Sequence, residues 1–229
     1  MASKKSVSHL SDKKIVHLNR GVWEKLPLKG MQLDTDMVRC ARYLFPKGRG
    51  KKLLYIGFDE GQNLLYFAGQ GFDCFGTEIS MPRLRATRRL FKAAKQKADL
   101  RQVSDNALPF PDNYFDEVVS WQSLYYNNAA TFKFQLAEIL RVLKPGGQIL
   151  CSMISPGMNQ LAHKKVARNV YRPMEHTGQG TAVVFVFENK GQIKKYFAKF
   201  TNLNIGFYSS YLFRGRNFHY VIAAEKPRE

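Results

Sequence analysis

Apolar and polar residues along this chain follow patterns that predict strands and helices in turn. The first apolar run, LLYI at 53–56, changes abruptly into a glycine-bearing loop at 57–61. A segment of helical character at 62–71 has a glycine stop, and a second strand at 72–77 ends on an acid, Glu78. Strand, glycine turn, helix, strand and acid together predict a βαβ unit of the nucleotide-binding type.

The alternation of helices and strands continues to the end of the chain. Apolar residues at helical spacing predict helices over 35–45, 82–97, 135–143 and 191–200. Apolar runs predict strands over 117–121, 148–154, 182–187, 203–208 and 218–225. Elements in this order predict an α/β fold with one doubly wound, mostly parallel sheet.

Length and composition indicate a single soluble domain. The 229 residues are enough for one α/β domain with a sizeable core and hardly enough for two. No apolar run approaches the roughly 18 residues of a membrane helix, and the N-terminus lacks the apolar core of a secretory signal. Cys40, Cys74 and Cys151 are odd in number and far apart, and the five histidines show no ligand spacing. We therefore predict a cytoplasmic protein with no membrane span, no disulfide framework and no metal site.

The net charge is unusual. Lys+Arg number 36 against 18 Asp+Glu, which gives +18. This charge favours acidic partners such as nucleic acid, anionic lipid or phosphorylated metabolites, and it is equally compatible with a solvated basic surface. A stripe at helical spacing in the helix predicted over 82–97 consists of Arg85, Arg88, Arg89, Lys92 and Lys95. The stripe could track phosphates, but we favour the outer face of a helix that covers the sheet.

Four segments carry a family resemblance. They are LLYIGFDEGQN, GFDCFGTEIS, DNALPFPDNYFDEVVSWQSL and EILRVLKPGGQIL, in that order. In this order and spacing they resemble the class I S-adenosylmethionine (SAM)-dependent methyltransferases, particularly the small-molecule group, over roughly residues 53 to 153. The resemblance implies a Rossmann-like methyltransferase fold, with a mostly parallel seven-stranded sheet and a C-terminal antiparallel hairpin. It also implies SAM as the cofactor and S-adenosylhomocysteine as the product.

The resemblance implies roles for residues of the first two segments. Gly57 and Gly61 would lie beside the methionine part of SAM. Glu78 would hold the ribose hydroxyls, and Ile79 would pack on the adenine. An exposed acid that merely ends a strand is the alternative interpretation of Glu78.

The third segment would complete the cofactor site. Asp105 would accept a hydrogen bond from the adenine amino group, with Asn106 and Ala107 giving backbone contacts. Trp121 and Gln122 would form the floor beneath the sulfonium. Asp105 as a cap of the following turn, and Trp121 as ordinary core, are the structural alternatives.

Two positions depart from the family pattern. Tyr55 stands where the family usually has an acid, and this removes a carboxylate expected to orient the methionine amino group. Asp59 stands where the family usually has a glycine, so the loop would need an awkward backbone conformation. Asp59 or Glu60 would supply the missing charge, or cofactor binding would be weakened or lost.

The segment 157–181 is polar, basic and irregular, and with Tyr125 and Tyr126 it is predicted to form a substrate lid. Functional residues gather on loops over the carboxyl edge of such a sheet. Tyr171 and Arg172 are the predicted substrate residues. The sequence does not choose between the candidates for a general base, which are His163, His176, Tyr125 and Tyr126.

We predict one methyltransferase-like domain over residues 1–229. Its parts are a mobile or loosely docked arm (1–20), an N-terminal flap with a helix (21–50), a SAM-binding half (51–155), and the lid with the C-terminal strands (156–229). Trp23 in the flap is interpreted as a packing residue, with a position over the ligand pocket as the alternative.

The predicted activity is methyl transfer from SAM to an oxygen or nitrogen of a small molecule. An anionic acceptor suits the basic lid residues, which are Lys164, Lys165, Arg168 and Arg172. Two alternatives stay open: a catalytically degenerate binding or regulatory protein, and an RNA-modifying enzyme. Nucleic acid is the less favoured partner because no Asn-Pro-Pro-Tyr tetrapeptide or paired cysteine motif is present. The sequence does not indicate the oligomeric state.

Overall fold

A computed structural model describes residues 12–30, 32–103, 107–159, 163–173, 182–212 and 215–228. The helices are α1 (Asp12–Lys25), α2 (Thr35–Leu44), α3 (Gln62–Gly69), α4 (Met81–Ala93), α5 (Ala129–Val142), α6 (Pro156–Asn159) and α7 (Lys190–Tyr196). The strands are β1 (Lys52–Ile56), β2 (Asp73–Glu78), β3 (Asp99–Gln102), β4 (Phe115–Ser120), β5 (Leu143–Ile154), β6 (His163–Ala167), β7 (Val170–Pro173), β8 (Val184–Phe185), β9 (Thr201–Leu212) and β10 (Gly215–Glu225). In the described part of the chain, no helix is both long enough and apolar enough to cross a membrane.

The large sheet has seven strands in the order β3-β2-β1-β4-β5-β10-β9. The strands from β3 to β5 are parallel, and β10 runs antiparallel to both β5 and β9. The fold class predicted from the sequence is therefore confirmed, including the C-terminal hairpin. The chain moves outward from β1 to β3 and then returns to place β4 on the other side of β1. Ligands of open α/β sheets bind at such a switch point, beyond the carboxyl ends of the strands.

Each face of the sheet is covered by its own apolar cluster. Leu53 and Tyr55 of β1 face one cluster, together with residues of α2, α3 and α4. Leu54 and Ile56 face the other cluster, which includes residues of α5 and residues 183–187. Because side chains alternate along a strand, the continuous run LLYI supplies both faces at once.

The predicted arm at 1–20 is wrong for its described part. Residues from 12 onward form α1, and Ile15 is fully buried. Asn19 is only 2% exposed, and its side-chain amide donates to the carbonyls of Tyr126 (2.8 Å) and Val183 (2.9 Å). The Asn19 amide oxygen accepts from the Val183 amide at 2.7 Å. A buried and fully bonded asparagine therefore fastens α1 to the domain.

The predicted irregularity of 157–181 is also wrong for its described part. The strands β6, β7 and β8 form a separate antiparallel sheet of three strands. Asn169 has a φ of 58° in the turn between β6 and β7, a conformation that asparagine tolerates better than most residues. Val166 and Val170 are buried on either side of this turn. Because basic residues surround this apolar pair in the sequence, the pattern of apolar positions did not predict the two strands.

A buried carboxyl in β4 is expected to make stability depend on pH. Glu117 is 2% exposed; its Oε1 accepts from the Lys51 ammonium at 2.7 Å, and its Oε2 has no partner in the described structure. Burial raises the pKa of Glu117 to about 7. Because the folded state holds this proton more tightly than the unfolded state does, the contribution of Glu117 to the free energy of unfolding is fully present below the ordinary pKa of 4.5. This contribution is lost as the pH rises through 7.

Glu117→Gln, which is neutral at every pH, should raise the free energy of unfolding at pH 8 by about 1 kcal/mol. The lost ion pair with Lys51 offsets part of the gain. Urea unfolding at pH 5 and pH 8 measures the effect, with exposed Asp73→Asn as the control. Identical pH profiles for wild type and Glu117→Gln would contradict the prediction.

Candidate functional site

The loop after β1 is held in a conformation that glycine adopts readily. Gly57 has a φ of 69°, and a Cβ built there would lie 1.8 Å from the Ser123 Oγ. Gly61 has a φ of 93°, and its Cβ would lie 2.4 Å from a methyl of Thr87. Asp59, between them, also has a positive φ, of 50°. The awkward backbone expected for Asp59 is therefore observed.

Glu78 ends β2 with its carboxylate held in place by backbone donors. The side chain is buried (6% exposed), and its Oε1 accepts from the amides of Ile79 (2.9 Å) and Ser80 (3.0 Å). The Oε2 accepts from the Asp59 amide at 3.2 Å. Burial is the main cause that raises the pKa of Glu78 to about 7. A carboxylate has about four acceptor positions, so this one keeps capacity for a ligand hydroxyl.

A cavity of about 600 Å³ lies along the carboxyl edge of the large sheet. Of the predicted site residues, those that line it are Gly57, Asp59, Glu78, Ile79, Ala107, Trp121, Gln122 and Tyr126. Apolar residues beside the Glu78 end are Ile56, Val103 and Leu108. The structure therefore brings the ends of β1, β2 and β4 together around one space of ligand size.

The remaining predicted site residues either fall outside the described residues or lie away from the cavity wall. Asp105, Asn106 and His176 fall outside the described residues, as does the side chain of His163. Within the described structure, the cavity wall does not include Gly61, Tyr125, Tyr171 or Arg172. Gly61 packs behind the loop, and Tyr125 is buried in the core, where its hydroxyl is hydrogen-bonded to that of Tyr126. Tyr171 and Arg172 belong to β7 of the small sheet.

The floor at the end of β4 is aromatic. The Trp121 ring stacks on the Tyr208 ring, with centroids 5.6 Å apart and planes 9° apart. Gln122 has a φ of 54°, its amide donates to the Ser152 Oγ (2.8 Å), and its side chain donates to the Tyr208 hydroxyl (2.9 Å). Tyr208 comes from β9 and was missed at the sequence level, because no local pattern relates β9 to β4.

The strap, residues 23–30, covers the cavity and is held by a buried arginine. Arg83 is 4% exposed and forms an ion pair with the Asp59 carboxylate. Its guanidinium also donates to the carbonyls of Trp23 (2.6 Å) and Leu26 (3.3 Å) and lies 4.9 Å from the centre of the Trp23 ring. The Trp23 ring packs edge-on against the Tyr126 ring, with ring centroids 4.9 Å apart. Trp23 therefore lies over the pocket, which was the alternative interpretation of this residue.

The second acid of the loop holds the same strap. Glu60 is buried, and its carboxylate accepts from the amides of Lys29 (2.7 Å) and Gly30 (3.0 Å). Both loop acids, Asp59 and Glu60, are thus bonded to the strap or to the arginine that holds it. Neither is placed as the free carboxylate that the sequence suggested for an amino group.

Comparisons with known proteins agree with this geometry. Residues 54–151 match a family model described as a methyltransferase domain. A demethylmenaquinone methyltransferase of Symbiobacterium thermophilum is 41% identical over 78 residues, which cover 33% of this chain and 30% of that protein. The 27-O-demethylrifamycin SV methyltransferase of Amycolatopsis mediterranei is 28% identical over 137 residues, covering 58% and 49%. The match spans about a third of the length of the first relative and about half of the second.

Solved structures share the fold. A SAM-dependent methyltransferase of Methanosarcina mazei has a TM-score of 0.64 at 18% identity and covers 87% of this chain and 100% of that one. The 1,6-didemethyltoxoflavin-N1-methyltransferase of Burkholderia thailandensis, bound to 1,6-didemethyltoxoflavin and S-adenosylhomocysteine, has a TM-score of 0.66 at 15% identity and covers 93% and 84%. Identities this low show the fold alone.

The seven-stranded sheet and the cavity at its switch point define a doubly wound α/β domain with a cavity of ligand size. Residues 54–151 match a methyltransferase domain, and the fold is the one found in solved SAM-dependent methyltransferases. The family resemblance found in the sequence is confirmed.

Proposed function

We propose that this protein transfers a methyl group from SAM to a small-molecule acceptor. The observation that carries the proposal is the single cavity shared by the glycine loop, Glu78 and Trp121. The family match makes SAM the cofactor to test against this cavity, and three features of the wall fit it.

The Glu78 end suits an adenosine. The Glu78 carboxylate is fixed by three backbone amides and retains acceptor capacity, so it would take hydrogen bonds from the ribose hydroxyls. Beside it, Ile79, Val103 and Leu108 offer an apolar slot for a flat base. The predicted role of Asp105 at this end stays a prediction.

The glycine loop suits a close approach of backbone to ligand. Because a Cβ on Gly57 would collide with Ser123, the loop and the end of β4 leave a narrow cradle that only glycine permits. The methionine part of SAM would lie in this cradle, above Trp121 and Gln122.

SAM supplies a methyl group on a sulfonium, which is already electrophilic. The task of the chain is therefore alignment and exclusion of water rather than activation. The strap and α1 close the cavity from outside, with Trp23 and Asn19 in its wall. Among the candidate bases, Tyr126 lines the cavity, but burial raises its pKa far above the ordinary value of a tyrosine. Tyr126 would therefore orient the acceptor as a neutral phenol rather than remove a proton.

The acceptor we propose is a small molecule with a ring and a negative charge, methylated on oxygen or nitrogen. The wall around Trp23 and Tyr126 is aromatic, and Arg20 adds a cation to it. The relatives are named for demethylmenaquinone and 27-O-demethylrifamycin SV, which are acceptors of small-molecule size. The predicted contribution of Tyr171 and Arg172 would require them to act from outside the described wall.

Calorimetry and thermal-shift titration with SAM and S-adenosylhomocysteine test the proposal. We expect saturable binding and a rise in Tm, because a ligand that binds only the folded state stabilises it. Transfer of labelled methyl into the small-molecule fraction of a cell extract, and not into its RNA, should follow. No heat and no stabilisation at millimolar ligand would contradict the proposal.

RNA binding should be weak at physiological salt. The stripe is exposed, and its four residues on α4 lie on the outer face of a helix that covers the sheet rather than at the cavity; Lys95 lies just beyond the end of α4. Non-specific affinity at low salt should therefore nearly vanish at physiological ionic strength. Filter binding of wild type and of the Arg85/Arg88/Arg89 triple alanine variant measures this. Tight binding that survives salt and is abolished in the triple variant would favour an RNA substrate instead.

A further inference from the structure

The amino-acid end of SAM carries an ammonium group, and a partly enclosed cavity needs an anion to receive it. The strand that leads into the cavity offers Tyr55, a neutral phenol whose pKa is raised by burial. The two acids of the glycine loop are bonded to Arg83 and to the strap. Asp59 is paired with an arginine, and Glu60 is buried beneath the strap, whereas Asp34 is a half-buried carboxylate of the wall that forms no ion pair among the described residues. Asp34 is therefore the better candidate, and the inference that follows rests on the proposed function.

We infer that Asp34, in the segment before α2, binds the ammonium group of SAM. Asp34 lines the same cavity as Tyr55 and Trp121, and it is hydrogen-bonded to the Trp121 ring nitrogen. Asn63 links Asp34 to Tyr55, which stands where the family usually has an acid. The Asn63 Oδ1 accepts from the Asp34 amide (3.0 Å), and the Asn63 Nδ2 donates to the Tyr55 hydroxyl (3.2 Å). In this inference, the Asp34 carboxylate takes the role that an acid at the position of Tyr55 would have.

The Asp34 carboxylate is fixed in direction and keeps its charge available. Its Oδ1 accepts from the Met37 amide (2.9 Å) as the N-cap of α2, and its Oδ2 accepts from the Trp121 Nε1 (2.9 Å). These donors use two of about four acceptor positions. Both are neutral N–H groups, and no lysine or arginine of the described chain forms an ion pair with Asp34.

Asp36 is the nearest alternative, and its setting differs. It also lines the cavity, but it forms an ion pair with Arg39 one turn along α2, at 3.6 Å. Its carboxylate therefore has a cation of its own, whereas Asp34 has none in the described structure. Asp36→Asn is therefore a matched control for Asp34→Asn, because both substitutions remove one negative charge from the cavity wall.

The test pairs a protein change with a ligand change. S-adenosylhomocysteine and an analogue with hydrogen in place of its amino group are titrated into wild type, Asp34→Asn and Asp36→Asn. Wild type should bind the amino form about 10- to 100-fold more tightly, the range for a charge-assisted hydrogen bond. Asp34→Asn should bind the two ligands about equally, while Asp36→Asn should keep the preference. Binding of 5′-methylthioadenosine, which lacks the amino-acid part, should be the same in all three proteins.

Trp121→Phe separates recognition of the ammonium from the packing of the tryptophan. Phenylalanine removes the hydrogen bond to Asp34 but leaves the carboxylate, so the preference for the amino form should remain. Asparagine is a good N-cap, and thermal unfolding checks that Asp34→Asn is folded. An undiminished preference in Asp34→Asn, or its loss in Trp121→Phe or in Asp36→Asn alone, would overturn the inference. If wild type bound both ligands equally, the inference would fail while the proposed function stood; if it bound neither, the proposed function itself would fail.

Discussion

Arg83→Met should lower the free energy of unfolding by about 3 kcal/mol. The substitution keeps the aliphatic stem but removes the guanidinium that bonds the Asp59 carboxylate and the carbonyls of Trp23 and Leu26. Breaking a buried pair costs about 3–5 kcal/mol because the partner charge stays unpaired. The Asp59 side chain is 31% exposed, which places the expected loss at the lower end. Urea unfolding followed by tryptophan fluorescence measures it.

The control for Arg83→Met lies on the same helix. Arg85→Ala removes an exposed arginine and should change stability by less than about 0.5 kcal/mol. A double-mutant cycle with Asp59→Asn then isolates the ion pair, and the two substitutions should be strongly non-additive. A loss in Arg83→Met no larger than in Arg85→Ala would show that the strap is held by other contacts.

Glu78→Gln should weaken binding of S-adenosylhomocysteine by about 1.5–3 kcal/mol. The charge of Glu78 would strengthen its hydrogen bonds to the ribose hydroxyls, and a neutral amide loses that strength. Because burial raises the pKa of Glu78 to about 7, the carboxylate forms as the pH rises through 7. Affinity in wild type should therefore increase between pH 6 and pH 8, and calorimetry at both values should find no such increase in Glu78→Gln.

Glu78→Ala tests the same residue by a second substitution. Alanine leaves the amides of Asp59, Ile79 and Ser80 without their acceptor, so this variant should lose stability as well as affinity. The glutamine variant keeps one oxygen for these donors and should lose mainly affinity. An unchanged affinity in Glu78→Gln would mean that another acid holds the ribose.

The sheet and the part of the candidate cofactor site formed by β1 and β2 were accessible to sequence reasoning because their signals are local. The run LLYI followed by Gly57 marks a strand entering a turn, and Glu78 stands at the spacing that brings β2 to the same edge. Helix and strand periodicity then gave the order of the larger elements that follow β2, but not α1. The strands β3, β6 and β7 were missed because they are short and contain many polar residues, whereas β8 lies within the strand predicted over 182–187.

The residues that close the site were less accessible. Arg83 belongs to an arginine-rich helix, and the composition of the helix does not indicate which of its arginines is buried. Its spacing did hold a signal, since Arg83 and Thr87 are four residues apart on the buried face of α4. Asp34 directly precedes the helix predicted over 35–45, which is a usual place for a capping residue, and its bond to Trp121, 87 residues away, has no local signature.

Asp59 gives the loop a dependence that a glycine would not have. Here, Asp59→Gly would relieve an unfavourable φ and at the same time leave the buried guanidinium of Arg83 without its counter-ion. The two positions can therefore change together but not singly, so they should covary among orthologues, and a glycine at 59 should be accompanied by an uncharged residue at 83.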